Sequence, residues 1–214
     1  MDDRREFLGY SLAALTAVAG VCRMSDPAAG KRPWLAGPVD PEIPWMNLPR
    51  ELREWNWGGG SCVHASTVMC FRWQGDLQRA AYWRRTYSGG ETSYGLRQKL
   101  DANGIRYHYS ARAGDESVLE YASRTRRGAV IFYYPVHSIC FCGFAVKDGQ
   151  EHAVLLDNNR IANFIWVEKQ SFLKHWRGYG GFALVLLGNP APRLPYYPFE
   201  PARGAVAEHL LRRP

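Results

Sequence analysis

The stretch WNWGGGSCVHASTVMCFRWQG, residues 55–75, opens on a glycine run and closes on a glycine. Between these breaks Val63, Thr67, Cys70 and Phe71 recur at helical spacing, and Ser61 is placed to act as an N-cap. The reading is a loop of unusual backbone freedom feeding a helix that begins at Cys62. Helical patterns continue downstream. Asp76 opens a second helix through Tyr87, a third runs from about Thr92 to Asn103, and Gly114-Asp115-Glu116 opens a fourth that closes at Gly128. Ile105 to Tyr109 alternates like a short strand between the third and fourth.

After Gly128 the pattern turns to strands. Ala129–Tyr134 is β-branched and aromatic. His137–Val146 runs into the hairpin-like turn Lys147-Asp148-Gly149, and Glu151–Leu156 is its partner. Asn163–Val167, a short helix at Glu168–Trp176 and a last strand at Gly181–Leu187 follow. Helices first and an antiparallel sheet second make the expected class α+β.

The flanks read differently. Residues 23–49 are rich in Pro, Gly and charge and read as a linker or wrapping arm, and residues 189–214 as a Pro- and Arg-rich tail. At the start, Arg4-Arg5-Glu6-Phe7-Leu8 precedes a short apolar run from Tyr10 to Val21, which resembles a twin-arginine export signal over residues 1–22. Ala17-Val18-Ala19 suits cleavage, and Val21-Cys22 departs from a lipoprotein box. The expectation is export to the periplasm or envelope, or a cytoplasmic protein if the segment is an ordinary amphipathic helix, with no membrane span in the mature protein because the run is too short.

Cys62 carries the chemistry. A thiol acts as a nucleophile when it is a thiolate, and a helix N-terminus and a nearby imidazolium both favour that form. Gly58, Gly59 and Gly60 let the backbone approach a substrate closely and supply amide groups for an oxyanion. The imidazole must come from elsewhere in the chain. His137 begins one strand, and Asp157, Asn158 and Asn159 end the next, so the hairpin brings them to one end, where a polar side chain can orient the ring.

Three segments, NWGGGSCVHAS, VHSICFCGF and VLLDNN, together resemble the papain-like cysteine peptidases, above all the compact bacterial branch that includes bacteriocin-processing peptidases specific for double-glycine motifs. The resemblance covers residues 50–188 as a papain-like domain, with N-terminal helices packed on a C-terminal antiparallel sheet. It implies Cys62 as nucleophile, His137 as base and Asn158 as orienting residue, with Asp157 as the alternative. Asn56, six residues before Cys62, stands where the family carries a glutamine of the oxyanion hole, and Val63 stands where papain has a tryptophan. The implied activity is cleavage of a peptide or amide bond. The alternative is a catalytically inactive papain-like module binding peptides or envelope partners. Acyl transfer, as in transglutaminases, uses the same triad, and NlpC-type cell-wall peptidases share the order Cys then His.

His152 is the alternative base, with Asn163 or Glu168 as its orienting partner. His64 points round the helix and reads as structural. Trp57 could line a cleft. Five cysteines without a CxxC pair argue against a disulfide scaffold and a structural zinc site. Cys140 and Cys142 share a strand face and read as core, so no metal and no cofactor is expected. The net charge of +7 is spread over helical arginines with no aromatic stacking platform, which makes a solvated basic face, not a nucleic-acid groove. The expected partner is a peptide or amide substrate.

Overall fold

A computed structural model describes residues 50–110, 112 and 115–191. The signal-like segment, the linker and nearly all of the Pro- and Arg-rich tail lie outside them. After a 3-10 turn at Arg50–Leu52 come α1 (Cys62–Trp73), α2 (Leu77–Thr86), α3 (Ser93–Ala102), β1 (Tyr107–Ser110), α4 (Ser117–Arg124), β2 (Ala129–Tyr134), β3 (His137–Lys147), β4 (Gln150–Asp157), β5 (Arg160–Glu168), α5 (Lys169–Gly178) and β6 (Ala183–Leu186). The architecture is α+β, and the sheet is antiparallel throughout, in the order β1-β6-β2-β3-β4-β5.

The strands carry near-continuous apolar runs because helices cover the sheet on both faces. Alternate residues divide between two cores. Val130, Cys140, Val154, Leu156, Phe164, Trp166 and Leu184 join Val68, Met69 and Trp73 of α1 with Trp83 of α2 and Leu96 of α3. Ile131, Ile139, Leu155, Ile165 and Val185 join Leu119 of α4 and Phe172, Leu173 and Trp176 of α5. The helices are therefore not confined to one side: α4 and α5 back the face opposite α1. A register shift between Phe141 and Gly143 exchanges the faces, so Cys142 lies with the α1 core and Phe144 with the α5 core. Cys140 and Cys142 are fully buried apolar fillers there, and the Cys140 sulfur lies 3.2 Å from that of Cys70 on α1. Among the described residues no cluster of His, Cys, Asp and Glu is arranged to hold a metal, and no helix is long and apolar enough to cross a membrane.

The register also fixes what meets at the ends of the strands. Tyr134 pairs with His137, Cys140 with Leu156, and Ser110 with Ala183. One end of the sheet thus collects the end of β1, the start of β6, the end of β2, the start of β3 and the end of β4. The N-terminus of α1 lies at this same end.

Candidate active site

Cys62 is the first residue of α1. The loop before it takes a path open to glycine and strained for other residues: φ is 86° at Gly58, 59° at Gly59 and 81° at Gly60. Ser61 does not cap the helix, contrary to the sequence expectation. Its hydroxyl donates to the Gly58 carbonyl at 2.8 Å and accepts from the Gly89 amide at 2.9 Å. The side chain is spent on clasping two glycine loops together. With no side chain capping it, the positive end of the helix faces the site.

The Cys62 thiol is buried, 3.7 Å from the Gly60 carbonyl oxygen and 3.9 Å from that of Val136. The next residue after Val136 is His137, so the nucleophile candidate and the base candidate are brought together from positions 75 residues apart in the chain. The His137 ring stacks on Tyr134, with centroids 5.6 Å apart and planes at 15°. Its Nε2 lies 2.8 Å from Oδ1 of Asp157, a carboxylate that is 2% exposed and also accepts from the Asn159 amide at 2.8 Å.

The hydrogen-bond partner of His137 is therefore Asp157, and the expectation that Asn158 fills this place is corrected. Adjacent residues on a strand point opposite ways. The pairing of β4 with β5 shifts register between Leu155 and Asp157, so the alternation of the strand could not be carried to its end. Asn158 has a different task. Its Nδ2 lies 3.2 Å from the Cys62 carbonyl, 3.0 Å from Ser66 Oγ and 2.9 Å from the Ser138 carbonyl. Its own carbonyl accepts from the Asn56 amide at 2.8 Å. One fully buried residue thus joins, through its side-chain amide and its backbone carbonyl, the first turn of α1, the second residue of β3 and the segment leading to the glycine loop. Ser66 and Ser138, both buried, were not singled out in the sequence. The available signals were Ser66 one helical turn after Cys62 and Ser138 beside His137.

Asn56 is held beside the site by that backbone bond, and its buried side-chain oxygen has no hydrogen-bond partner among the described residues. Trp57 does not stand open to a cleft: the Arg84 guanidinium lies 3.2 Å over its ring centre. Val136 and Trp55 are 53% and 57% exposed, so apolar surface borders the thiol and the Asn56 segment.

His152, the alternative base, is excluded by geometry. It pairs with Ala145 and Glu168, eight residues along β3 from His137, or roughly 25 Å at strand rise. Its Nδ1 lies 3.0 Å from the Gln150 carbonyl in the hairpin turn. Of its proposed partners, Glu168 pairs with it in register at that far end, and Asn163 lies five residues back along β5. His64 is buried against Tyr87 and Trp83, 3.9 Å from Glu91. Burial pushes its pKa down to about 4, with Glu91 opposing the shift and Lys99 adding to it. A neutral, packed imidazole matches its structural reading.

No protein-family model matches the chain, and a search of curated proteins returns no match. Among solved structures, the chain is similar to a double glycine motif protease from an AMS/PCAT transporter, determined in complex with the leader peptide. The identity is 12% and the TM-score 0.45, over 66% of this chain and 91% of that one. The functional reading accordingly rests on the residues and distances above.

Proposed function

We propose that the protein is a thiol hydrolase of peptide or amide bonds, with Cys62 as nucleophile, His137 as base and Asp157 as the orienting carboxylate. The observation that carries this reading is the joint placement of a thiol at an uncapped helix N-terminus, 3.9 Å from the Val136 carbonyl, and, on the next residue, an imidazole with one nitrogen held by a buried carboxylate.

Because Nε2 of His137 is engaged by Asp157, Nδ1 is the nitrogen that takes the thiol proton. The thiolate attacks the carbonyl carbon of the substrate, and the negative charge passes to the carbonyl oxygen. The Cys62 backbone amide and the side-chain amide of Asn56 serve that oxygen as donors. The imidazolium returns its proton to the leaving amine, leaving a thioester on Cys62. His137 then takes a proton from water, the hydroxide adds to the thioester, and the acid leaves as the thiol is reprotonated. Asp157 stabilises the imidazolium and fixes the ring. No step requires a cofactor.

The test is hydrolysis of a fluorogenic peptide panel by the full chain and by its Cys62→Ala variant. The expected result is cleavage by the parent and none above background by the variant. Equal cleavage by both contradicts the proposal, and cleavage by neither, with Cys62 no more reactive to iodoacetamide than an ordinary thiol, favours an inactive peptide-binding module.

A further inference from the structure

Beside the candidate site, at the same end of the sheet, lies a cavity of about 230 Å³. Phe132 and Phe182 form an aromatic wall, their ring centres 4.7 Å apart, and Tyr109 adds a third ring. Arg97 of α3 lines the same space with the hydroxyl-bearing Ser93 and Ser110. The strand register places it. Phe132 lies two residues before the end of β2, next to β3, and its amide donates to the carbonyl of Phe182, the residue before β6. The cavity is therefore about two strand spacings, or roughly 10 Å, from the start of β3 where His137 sits. An extended peptide covers that span in about three residues.

Arg97 gives the cavity its chemistry. Its guanidinium stacks over the Tyr109 ring at 4.2 Å, and its Nη1 donates to the Tyr109 hydroxyl. Nε lies 3.3 Å from the Ser93 carbonyl. Among the described residues no carboxylate pairs with it, so a half-buried cation with further N–H donors stands at an aromatic-walled cavity without a counter-charge. By contrast, Arg72 and Arg84 are both paired with Glu54, and Lys99, two residues after Arg97, is paired with Glu91.

We propose that this cavity is a substrate subsite that binds a peptide carboxylate on Arg97 while the phenylalanine wall packs the adjoining apolar part of the chain. It deepens the hydrolase reading and rests on it: the enzyme selects peptides bearing a carboxylate about three residues from the bond it cuts. The carboxylate can come from an Asp or Glu side chain or from a peptide C-terminus, and the same guanidinium fork serves both.

The experiment separates binding from cleavage. The full chain carrying Cys62→Ala, with and without Arg97→Glu, is applied to an array of synthetic peptides in four forms: internal Glu with an amidated C-terminus, Gln in its place with an amidated C-terminus, Gln with a free C-terminus, and Lys with an amidated C-terminus. The expected result is at least about tenfold tighter binding of one carboxylate form over the Gln amide, the size expected of one charge-assisted hydrogen-bonded pair. Which form is retained identifies the source. Arg97→Glu abolishes that preference and turns it toward the Lys peptide, while a thermal melt checks that the variant folds. Arg97→Lys, which keeps the charge and loses the fork, keeps part of the preference. Equal binding of all four forms by the parent, or a carboxylate preference that survives Arg97→Glu, overturns the subsite. Because this array needs no turnover, its failure is distinct from failure of the hydrolase reading, which the Cys62→Ala hydrolysis comparison decides.

Discussion

The two ends of the β3–β4 hairpin carry the same residue types and do opposite things with them. At one end His137 begins β3, stacks on Tyr134 and shares a short hydrogen bond with the buried Asp157. At the other, His152 sits beside the turn, where its ring meets the Gln150 carbonyl and the edge of Trp166 and lies near the partly exposed Glu168 carboxylate. Both histidines lie on strands of one sheet, and each has a carboxylate brought beside it by the strand pairing, Asp157 for His137 and Glu168 for His152. The difference is the burial of the carboxylate and the helix that ends beside it. At the first end α1 delivers Cys62 at an N-terminus no side chain caps, whereas at the second end α5 begins beside His152 with its N-terminus capped by the Glu168 carboxylate. A histidine acquires a chemical role from what the fold packs against its two nitrogens, not from its place in an apolar strand.

Exchanging these histidines for alanine gives the largest contrast. Loss of a general base costs about 100- to 10,000-fold in turnover. His137→Ala is expected to show such a loss in peptide hydrolysis, while His152→Ala stays within about twofold of the parent. Equal losses would erase the distinction between the ends.

A second contrast lies within the site end, between the neighbours Asp157 and Asn158. Asn158→Asp puts a carboxylate against the Cys62 and Ser138 carbonyls and removes the donor they share. An uncompensated buried charge of this kind destabilises by about 3 to 5 kcal/mol, to be read in urea unfolding. Asp157→Asn is expected to be milder for folding and to act on catalysis, lowering turnover at least about tenfold because the imidazolium loses its counter-charge. If Asn158→Asp folds normally and only slows turnover, the roles assigned to the pair are reversed.

The smallest effect concerns a third histidine. His64 has its pKa lowered to about 4, chiefly by burial. Its unfolded form titrates near the ordinary value of about 6.5. Between these values the unfolded chain binds more protons, so the stability this site contributes is present above pH 6.5 and is lost as pH falls toward 4. The loss is at most about 3 kcal/mol over that window. His64→Gln should flatten this part of the pH–stability curve measured by urea unfolding, and an unchanged slope would assign it to other groups.

Much of this was legible in the chain. The glycine run before Ser61-Cys62 marks a loop feeding a helix because consecutive residues with φ above zero leave little choice but glycine. The β3–β4 hairpin shows itself through its apolar runs and the Lys147-Asp148-Gly149 turn, and the chain order alone places His137 and Asp157 at the same end. What stayed hidden depends on register and on partners distant in sequence. The choice between Asp157 and Asn158 turns on a register shift at the end of β4 that leaves no mark in local composition. Ser61 has the composition of a cap, yet its hydroxyl bridges to Gly89, 28 residues on, which no local pattern announces. The placement of α4 and α5 behind the sheet is likewise a property of the assembled layers, visible in sequence only as strands too uniformly apolar to face water.

Cys62 and His137 are proposed to form a reactive pair. The rate of Cys62 alkylation by iodoacetamide, followed by peptide mapping from pH 4.5 to 9 in the parent and in His137→Ala, tests it most directly. A thiolate held by a helix N-terminus and an imidazolium remains reactive well below the ordinary thiol range near pH 8.5. The predicted result is rapid alkylation of Cys62 at pH 5.5 in the parent, with Cys70, Cys140 and Cys142 unmodified in the folded core, and a shift of the Cys62 profile toward pH 8.5 in His137→Ala. A parent profile that rises only near pH 8.5, or one that His137→Ala leaves unmoved, would contradict it.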